Sequence, residues 1–189
     1  MALMYTPDEK QNLKAPHFEN LLGTDGEKYN LQKVQKESGF LVMFICNHCP
    51  YVKGIMDRLP QTMEKLQKMG FGVIAINSND AIEYEEDNFD NMVTFAKNNK
   101  FTFPYVVDEK NIVADQYEAI CTPDFFLFNA DGNLEYRGRL DSSGKNPASE
   151  ETVPELLNAA QEIAIGGSFS GKQIPSMGCS IKRSHSDSD

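Results

Sequence analysis

The chain has 189 residues, 40% of them apolar, which suffices for one sizeable core and argues against two independent ones. Its formal charge of −10, from 28 acidic against 18 basic side chains, opposes a nucleic-acid or anionic-membrane partner. The opening MALMYTPDEK lacks a basic-then-apolar leader pattern and the longest apolar run, 40–46, is far too short for a bilayer, so a soluble, cytoplasmic protein is expected.

In chain order, residues 1–15 are polar and read as a loose leading segment. Phe18, Leu21 and Leu22, the turn Gly23-Thr24-Asp25-Gly26, then Tyr29 and Leu31 predict an N-terminal β-hairpin, since glycine supplies the positive φ of a tight turn. FLVMFIC, 40–46, is apolar without alternation, the pattern of a strand covered on both faces. Val52, Ile55, Met56, Leu59, Met63, Leu66 and Met69 recur at helical spacing and stop at Gly70, predicting one helix kinked near Pro60. FGVIAIN, 71–77, is a second buried strand. The acidic stretch 83–90 reads as solvated surface before a helix carrying Met92, Val93, Phe95 and Ala96. A strand over 103–108, a short helix over 112–117, a hairpin of 125–129 with 134–140, and a last helix over 153–165 complete a domain spanning 16–166. The order predicts an α/β fold with a central mixed sheet flanked by helices. Residues 167–189 read as a polar, glycine-rich tail carrying Cys179, with SHSDSD disordered.

Four cysteines, Cys46, Cys49, Cys121 and Cys179, are too few for a secreted disulfide scaffold. Cys46 and Cys49 stand where a buried strand meets a helix. There the positive end of the helix dipole and unpaired amides favour thiolate over thiol, lowering a thiol from about 8.5 to somewhere between roughly 3.5 and 7.5. The spacing separates the two by about one helical turn, within reach of a reversible disulfide. His48, between them, adds a potential positive charge.

These stretches resemble the thioredoxin-fold superfamily, and in detail its peroxiredoxin-like branch, related to alkyl hydroperoxide reductases and thiol-specific antioxidants. The resemblance rests on CNHCPYVK at 46–53, AINSND at 75–80, CTPDFFLF at 121–128, YRGRLD at 136–141 and PSMGCSIK at 175–182. It implies a thioredoxin-like fold and a thiol-disulfide oxidoreductase, with Cys46 as the exposed nucleophile, Cys49 as resolving thiol, His48 beside them, Pro123 as the cis-proline and Thr122 presenting its backbone to the substrate sulfur. It implies no cofactor. The partners are a disulfide-bearing protein or a small thiol or peroxide, plus an external thiol reductant.

The sequence also departs from its relatives. FLVMFI contains no acidic residue to handle a buried thiol's proton. The threonine and proline that precede a peroxidatic cysteine by three and seven residues are replaced by Cys46 and Val42 if that cysteine is Cys49, and by Met43 and Gly39 if it is Cys46. The arginine expected before FFLF is missing, leaving Arg139 as an accessory candidate. A thiol-dependent peroxidase is therefore the second reading, and a non-catalytic redox sensor or zinc module the third. Zinc would need Cys46, Cys49, Cys121 and either His48 or Cys179 gathered by folding; no metal site is assigned. Cys121 is either a small core residue or an accessory thiol, and Cys179 either an idle tail thiol or one folded back onto Cys46. GGSFSGKQ, 166–173, imitates a phosphate loop but follows a helix and lacks the hydroxyl after its lysine. His17 and His185 belong to no constellation.

Overall fold

A computed structural model describes residues 2–8 and 11–184 of the chain. Its elements are β1 (Leu3–Tyr5), β2 (Leu21–Leu22), β3 (Lys28–Tyr29), α1 (Leu31–Val34), β4 (Gly39–Phe44), α2 (Pro50–Lys53), α3 (Leu59–Lys68) and β5 (Phe71–Asn77). After a single 3₁₀ turn at Glu85–Asp87 come α4 (Phe89–Asn98), β6 (Tyr105–Val107), α5 (Ile112–Gln116), β7 (Cys121–Thr122), β8 (Asp124–Asn129), β9 (Leu134–Gly138), α6 (Glu155–Gly166) and β10 (Met177–Ser180).

The central sheet is mixed, as the sequence predicts. β4 pairs antiparallel with β8, β8 antiparallel with β9, and β5 parallel with β6. The Ile45 amide donates to the Ile76 carbonyl at 3.0 Å, joining the two groups of strands. Apolar layers cover both faces. Leu41, Met43, Val73, Ala75, Phe125 and Leu127 pack with α3 and α6, whereas Phe40, Val42, Phe44, Ile74, Ile76 and Phe126 pack with α1 and α5. Side chains alternate across a strand, so a strand buried on both faces must be apolar at every position, which explains the unbroken run at 40–45.

β2 and β3 form the expected N-terminal hairpin. The helix expected over 52–69 is instead two helices. The chain leaves α2 at Gly54, where a Cβ would lie 2.3 Å from the Lys145 carbonyl oxygen, and re-enters helix at Leu59. Arg58 holds this break by donating to the Gly54 carbonyl at 3.1 Å, the Gly144 carbonyl at 2.6 Å and the Asp141 carboxylate. Pro60 therefore kinks nothing. It lies in the first turn of α3, where its missing N–H has no helical partner to lose.

The chain ends differ most from expectation. Within the supposedly loose segment, β1 pairs with β10, and β10 pairs in turn with β7 through Cys179 opposite Thr122 and Ser180 opposite Cys121. Composition conceals such a three-residue strand because its hydrogen bonds go to backbone partners far away in sequence. The expectation of disorder at SHSDSD falls outside the described residues except at Ser184, whose amide donates to Asn111 Oδ1 at 2.8 Å.

Gly178 permits the close approach of β10 to β7, since a Cβ there would stand 2.0 Å from the Thr122 carbonyl oxygen. Gly178→Ala should thus cost stability by about 1–3 kcal/mol, an overpacking penalty against backbone that cannot swing aside. Urea denaturation of the full chain measures it; an unchanged midpoint would mean that β10 is not packed this closely.

Candidate active site

β4 ends at Phe44, and Ile45–Cys49 form the loop that carries both thiols into α2, whose N-cap is Cys49. The thiol that meets the helix start is therefore Cys49 rather than Cys46. Opposite lies Thr122-Pro123, whose peptide bond is cis as the motif implies. The Cys46 sulfur is 3.4 Å from the Thr122 hydroxyl, and the Cys49 sulfur is 3.3 Å from the Thr122 carbonyl oxygen. All four cysteines are free and buried.

The proton is shared unequally. The hydrogen bond between Cys46 and Cys49 is the largest influence on both groups. Opposed by burial, but helped by the Cys179 thiol, the Cys179 amide and Thr122, it pulls Cys49 down to about 4. Cys46 is pushed well above the usual thiol range by the same bond, by burial and by the Asp87 charge. Cys49 is thus the more acidic of the pair, whereas the resemblance implies Cys46 as the nucleophile. A helix dipole alone does not separate two cysteines one turn apart; their mutual hydrogen bond shifts them in opposite directions.

Asp87 is the group that the sequence reading places wrongly. It lies in the acidic stretch taken as solvated surface, yet is only 1% exposed. Its Oδ1 accepts from the Asn47 amide at 2.7 Å, and its Oδ2 accepts from Asn79 Nδ2 at 2.7 Å and from His48 Nδ1 at 2.6 Å. Its carbonyl accepts from Asn77 Nδ2 at 3.2 Å. Tyr84 stacks on the His48 ring with centroids 5.7 Å apart. The AINSND motif supplies two of these donors, and that is the signal that points to a buried acceptor nearby. Asp87 thus contributes, from a distant loop, the carboxylate that FLVMFI lacks.

One ligand atom each from Cys46, His48 and Asp87 lie within 4.8 Å of one another, a spacing that a metal could exploit. Against that use, both Asp87 oxygens already accept hydrogen bonds from fixed partners. The zinc set imagined from sequence differs, because Asp87 is absent from it and Cys121 turns away. The Cys121 thiol donates to the Pro123 carbonyl at 3.7 Å, and burial raises it above the usual range.

Asp87→Asn should leave one amide N–H facing donors, costing about 1–3 kcal/mol of stability. By removing the negative charge near Cys46 it should also lower the Cys46 pKa. Urea denaturation and thiol titration read the two effects; a Cys46 titration that stayed fixed or rose would contradict the charge argument.

Arg139, the accessory candidate, does not reach the thiols. Its guanidinium bonds Glu155 Oε1 at 2.5 Å. It borders an apolar cavity of about 340 Å³ lined by Pro123, Tyr5, Tyr51, Phe125, Leu140 and Met177. Lys145 lies over the Tyr51 ring at 4.8 Å.

Among solved structures, the chain is similar to an uncharacterized conserved protein from Geobacillus kaustophilus, at 37% identity over 98% of each chain with a TM-score of 0.90. It is also similar to a hypothetical protein from Sinorhizobium meliloti, at 31% identity over 96% of this chain and 98% of that one, TM-score 0.88. The thioredoxin domain of a thiol-disulfide oxidoreductase from Bacteroides vulgatus shares the fold, at 15% identity over 81% and 96% of the two chains, TM-score 0.60. No curated protein matches the sequence. The fold is thioredoxin-like. The AhpC/TSA family model matches residues 12–137, two thirds of the chain including Cys46, Cys49 and Thr122-Pro123, and the chain therefore belongs to the AhpC/TSA family.

Proposed function

We propose that the protein is a thiol-disulfide oxidoreductase working through Cys46 and Cys49, with His48, Thr122 and Pro123 completing the site. One observation carries this reading: two free thiols stand against a Thr122-cis-Pro123 turn, Cys46 Sγ 3.4 Å from the Thr122 hydroxyl and Cys49 Sγ 3.3 Å from the Thr122 carbonyl oxygen. The Cys49 thiolate attacks one sulfur of a substrate disulfide, forming a mixed disulfide and expelling the other sulfur as thiolate. Cys46 then gives up its proton and attacks Cys49 Sγ, releasing the second substrate thiol and leaving a Cys46–Cys49 disulfide. An external thiol returns the pair to the reduced state. His48 and Asp87 lie close enough to Cys46 to bear on that proton. The apolar cavity beside Pro123 suits the side chain or carbon skeleton flanking the substrate sulfur.

A peroxidase is the second reading, favoured by the acidity of Cys49. Its thiolate would attack a peroxide oxygen, becoming a sulfenic acid as hydroxide or alkoxide leaves, and Cys46 would condense with it to the same disulfide, releasing water. Cys121, Cys179 and Arg139 are accessory to either scheme at most. A reducing compartment, in keeping with a cytoplasmic location, would hold the four cysteines free.

Stopped-flow mixing of the reduced protein with a small disulfide, and separately with hydrogen peroxide, tests both. Fast disulfide exchange with slow peroxide consumption supports the first reading, and the reverse supports the second. Inertness to both, with zinc retained after purification, would replace both with a metal-binding module.

A further inference from the structure

Resting on the Cys46–Cys49 reading, we infer that Cys179 is a third redox thiol, and that the oxidised protein exchanges between a Cys46–Cys49 and a Cys49–Cys179 disulfide with Cys49 as the shared sulfur.

The geometry starts from β10. Its register sets Cys179 directly opposite Thr122, the residue whose carbonyl lies 3.3 Å from the Cys49 sulfur and whose hydroxyl lies 3.4 Å from the Cys46 sulfur. Cys179 thus stands across Thr122 from Cys49, near enough that its thiol and amide favour the Cys49 thiolate. Cys49 has Cys46 on one side and Cys179 on the other, both close to the Thr122 position. The third thiol is also buried, at 5% exposed, and joins the same apolar cluster as the other two.

β10 is fixed at both ends, so this placement is not that of a wandering tail. Before it, the Ser176 hydroxyl donates to the Pro123 carbonyl at 2.7 Å and the Ser176 amide to Thr6 Oγ1 at 2.7 Å. After it, the Lys182 amide donates to Asn79 Oδ1 at 2.8 Å, and the Lys182 carbonyl accepts from the Asp80 amide at 2.7 Å. Gly178 lets the strand close onto the cis-proline turn. Cys121 is on the neighbouring position of β7, which faces the other way, and has no part in the exchange.

The chemistry is an isomerisation. With Cys46–Cys49 oxidised, Cys179 loses its proton and its sulfur attacks Cys49 Sγ. The Cys49–Cys179 bond forms as the Cys46–Cys49 bond breaks, its electron pair stays on Cys46 Sγ, and Cys46 takes up the proton. No electrons enter or leave, and no oxidant is needed beyond the one that made the first disulfide. The exchange frees Cys46 while the oxidising equivalent is stored against β10.

The test uses four full-length variants with oxidised glutathione as the oxidant. Cys46→Ser/Cys121→Ser keeps only Cys49 and Cys179. Cys49 should attack glutathione disulfide, releasing one glutathione, and Cys179 should displace the second, leaving no free thiols, no adduct, a mass lower by two hydrogens, and a Cys49–Cys179 linkage in the peptide map. Adding Cys179→Ser should make the glutathione adduct on Cys49 persist at least about tenfold longer, because an intramolecular thiol competes at high effective concentration. Cys46→Ala/Cys121→Ala repeats the first experiment with a different side chain, and circular dichroism checks that each variant is folded. A persistent adduct beside a free Cys179, or two unreacted thiols, overturns the proposal when Cys121→Ser/Cys179→Ser forms Cys46–Cys49 under the same conditions. If that variant also fails to form a disulfide, the dithiol reading itself is overturned.

Discussion

Replacing Cys49 with serine should abolish disulfide turnover and remove the protein's acidic thiol. In the wild type, ultraviolet thiolate absorbance should stay nearly constant as pH falls from neutrality and drop only through about 4, where Cys49 takes up its proton. An ordinary thiol would already be protonated below about 8.5. The sign follows from the cause: a group whose charged form accepts hydrogen bonds holds that form to lower pH. Cys46→Ser should remove the Cys46–Cys49 cycle for the different reason that its resolving thiol is gone, leaving Cys179 as the thiol that can displace the substrate from Cys49. Serine is still able to donate to Cys49, so its thiolate should persist in this variant. Cys46→Ala removes the donor and should raise the Cys49 pKa. A thiolate signal lost in Cys46→Ser and kept in Cys49→Ser would reverse the assignment and return the nucleophile to Cys46.

The largest stability effect is expected at Arg137. This side chain is 1% exposed and meets a wholly buried Asp124 at 2.8 Å, with further bonds to Gln11 Oε1 at 2.6 Å and the Glu118 carbonyl at 2.9 Å. Its guanidinium also lies 4.4 Å from the centre of the Phe126 ring. Burial is nevertheless the largest influence on Asp124 and pushes its pKa up despite Arg137. The pair thus offsets its own desolvation incompletely, and losing one partner is far worse than losing both. Arg137→Met should cost about 3–5 kcal/mol, whereas Arg137→Met/Asp124→Leu should recover much of that loss. The deficit of the single variant should shrink as pH falls. Asp124 then has a raised folded pKa, so its contribution to stability is present below the unfolded carboxyl pKa and is lost as pH rises through the folded one. Urea titrations at neutral and acidic pH measure both effects; equal losses in the single and double variants would show that Arg137 stabilises by packing alone.

Both residues illustrate how sequence and tertiary structure divide the description. The buried strands 39–44 and 71–77 are legible because covering both faces of a sheet requires apolar side chains at every position, a local property of the chain. The hairpin at Gly23–Gly26, the two helix faces and the junction that carries Cys46 and Cys49 are legible on similar grounds, from turn chemistry and periodicity. The chain by itself therefore determined the class of fold and the place of the thiol pair. Composition could not separate Asp87 from its acidic neighbours, since what buries it are amides at Asn47, Asn77 and Asn79 on other elements. It could not separate Arg137 from Arg139 either: two residues apart on one hairpin, one is sealed against Asp124 and the other borders a cavity. Which thiol is acidic, which carboxylate serves the site and where Cys179 stands were decided by tertiary structure alone, because each depends on hydrogen bonds between residues that the sequence holds far apart.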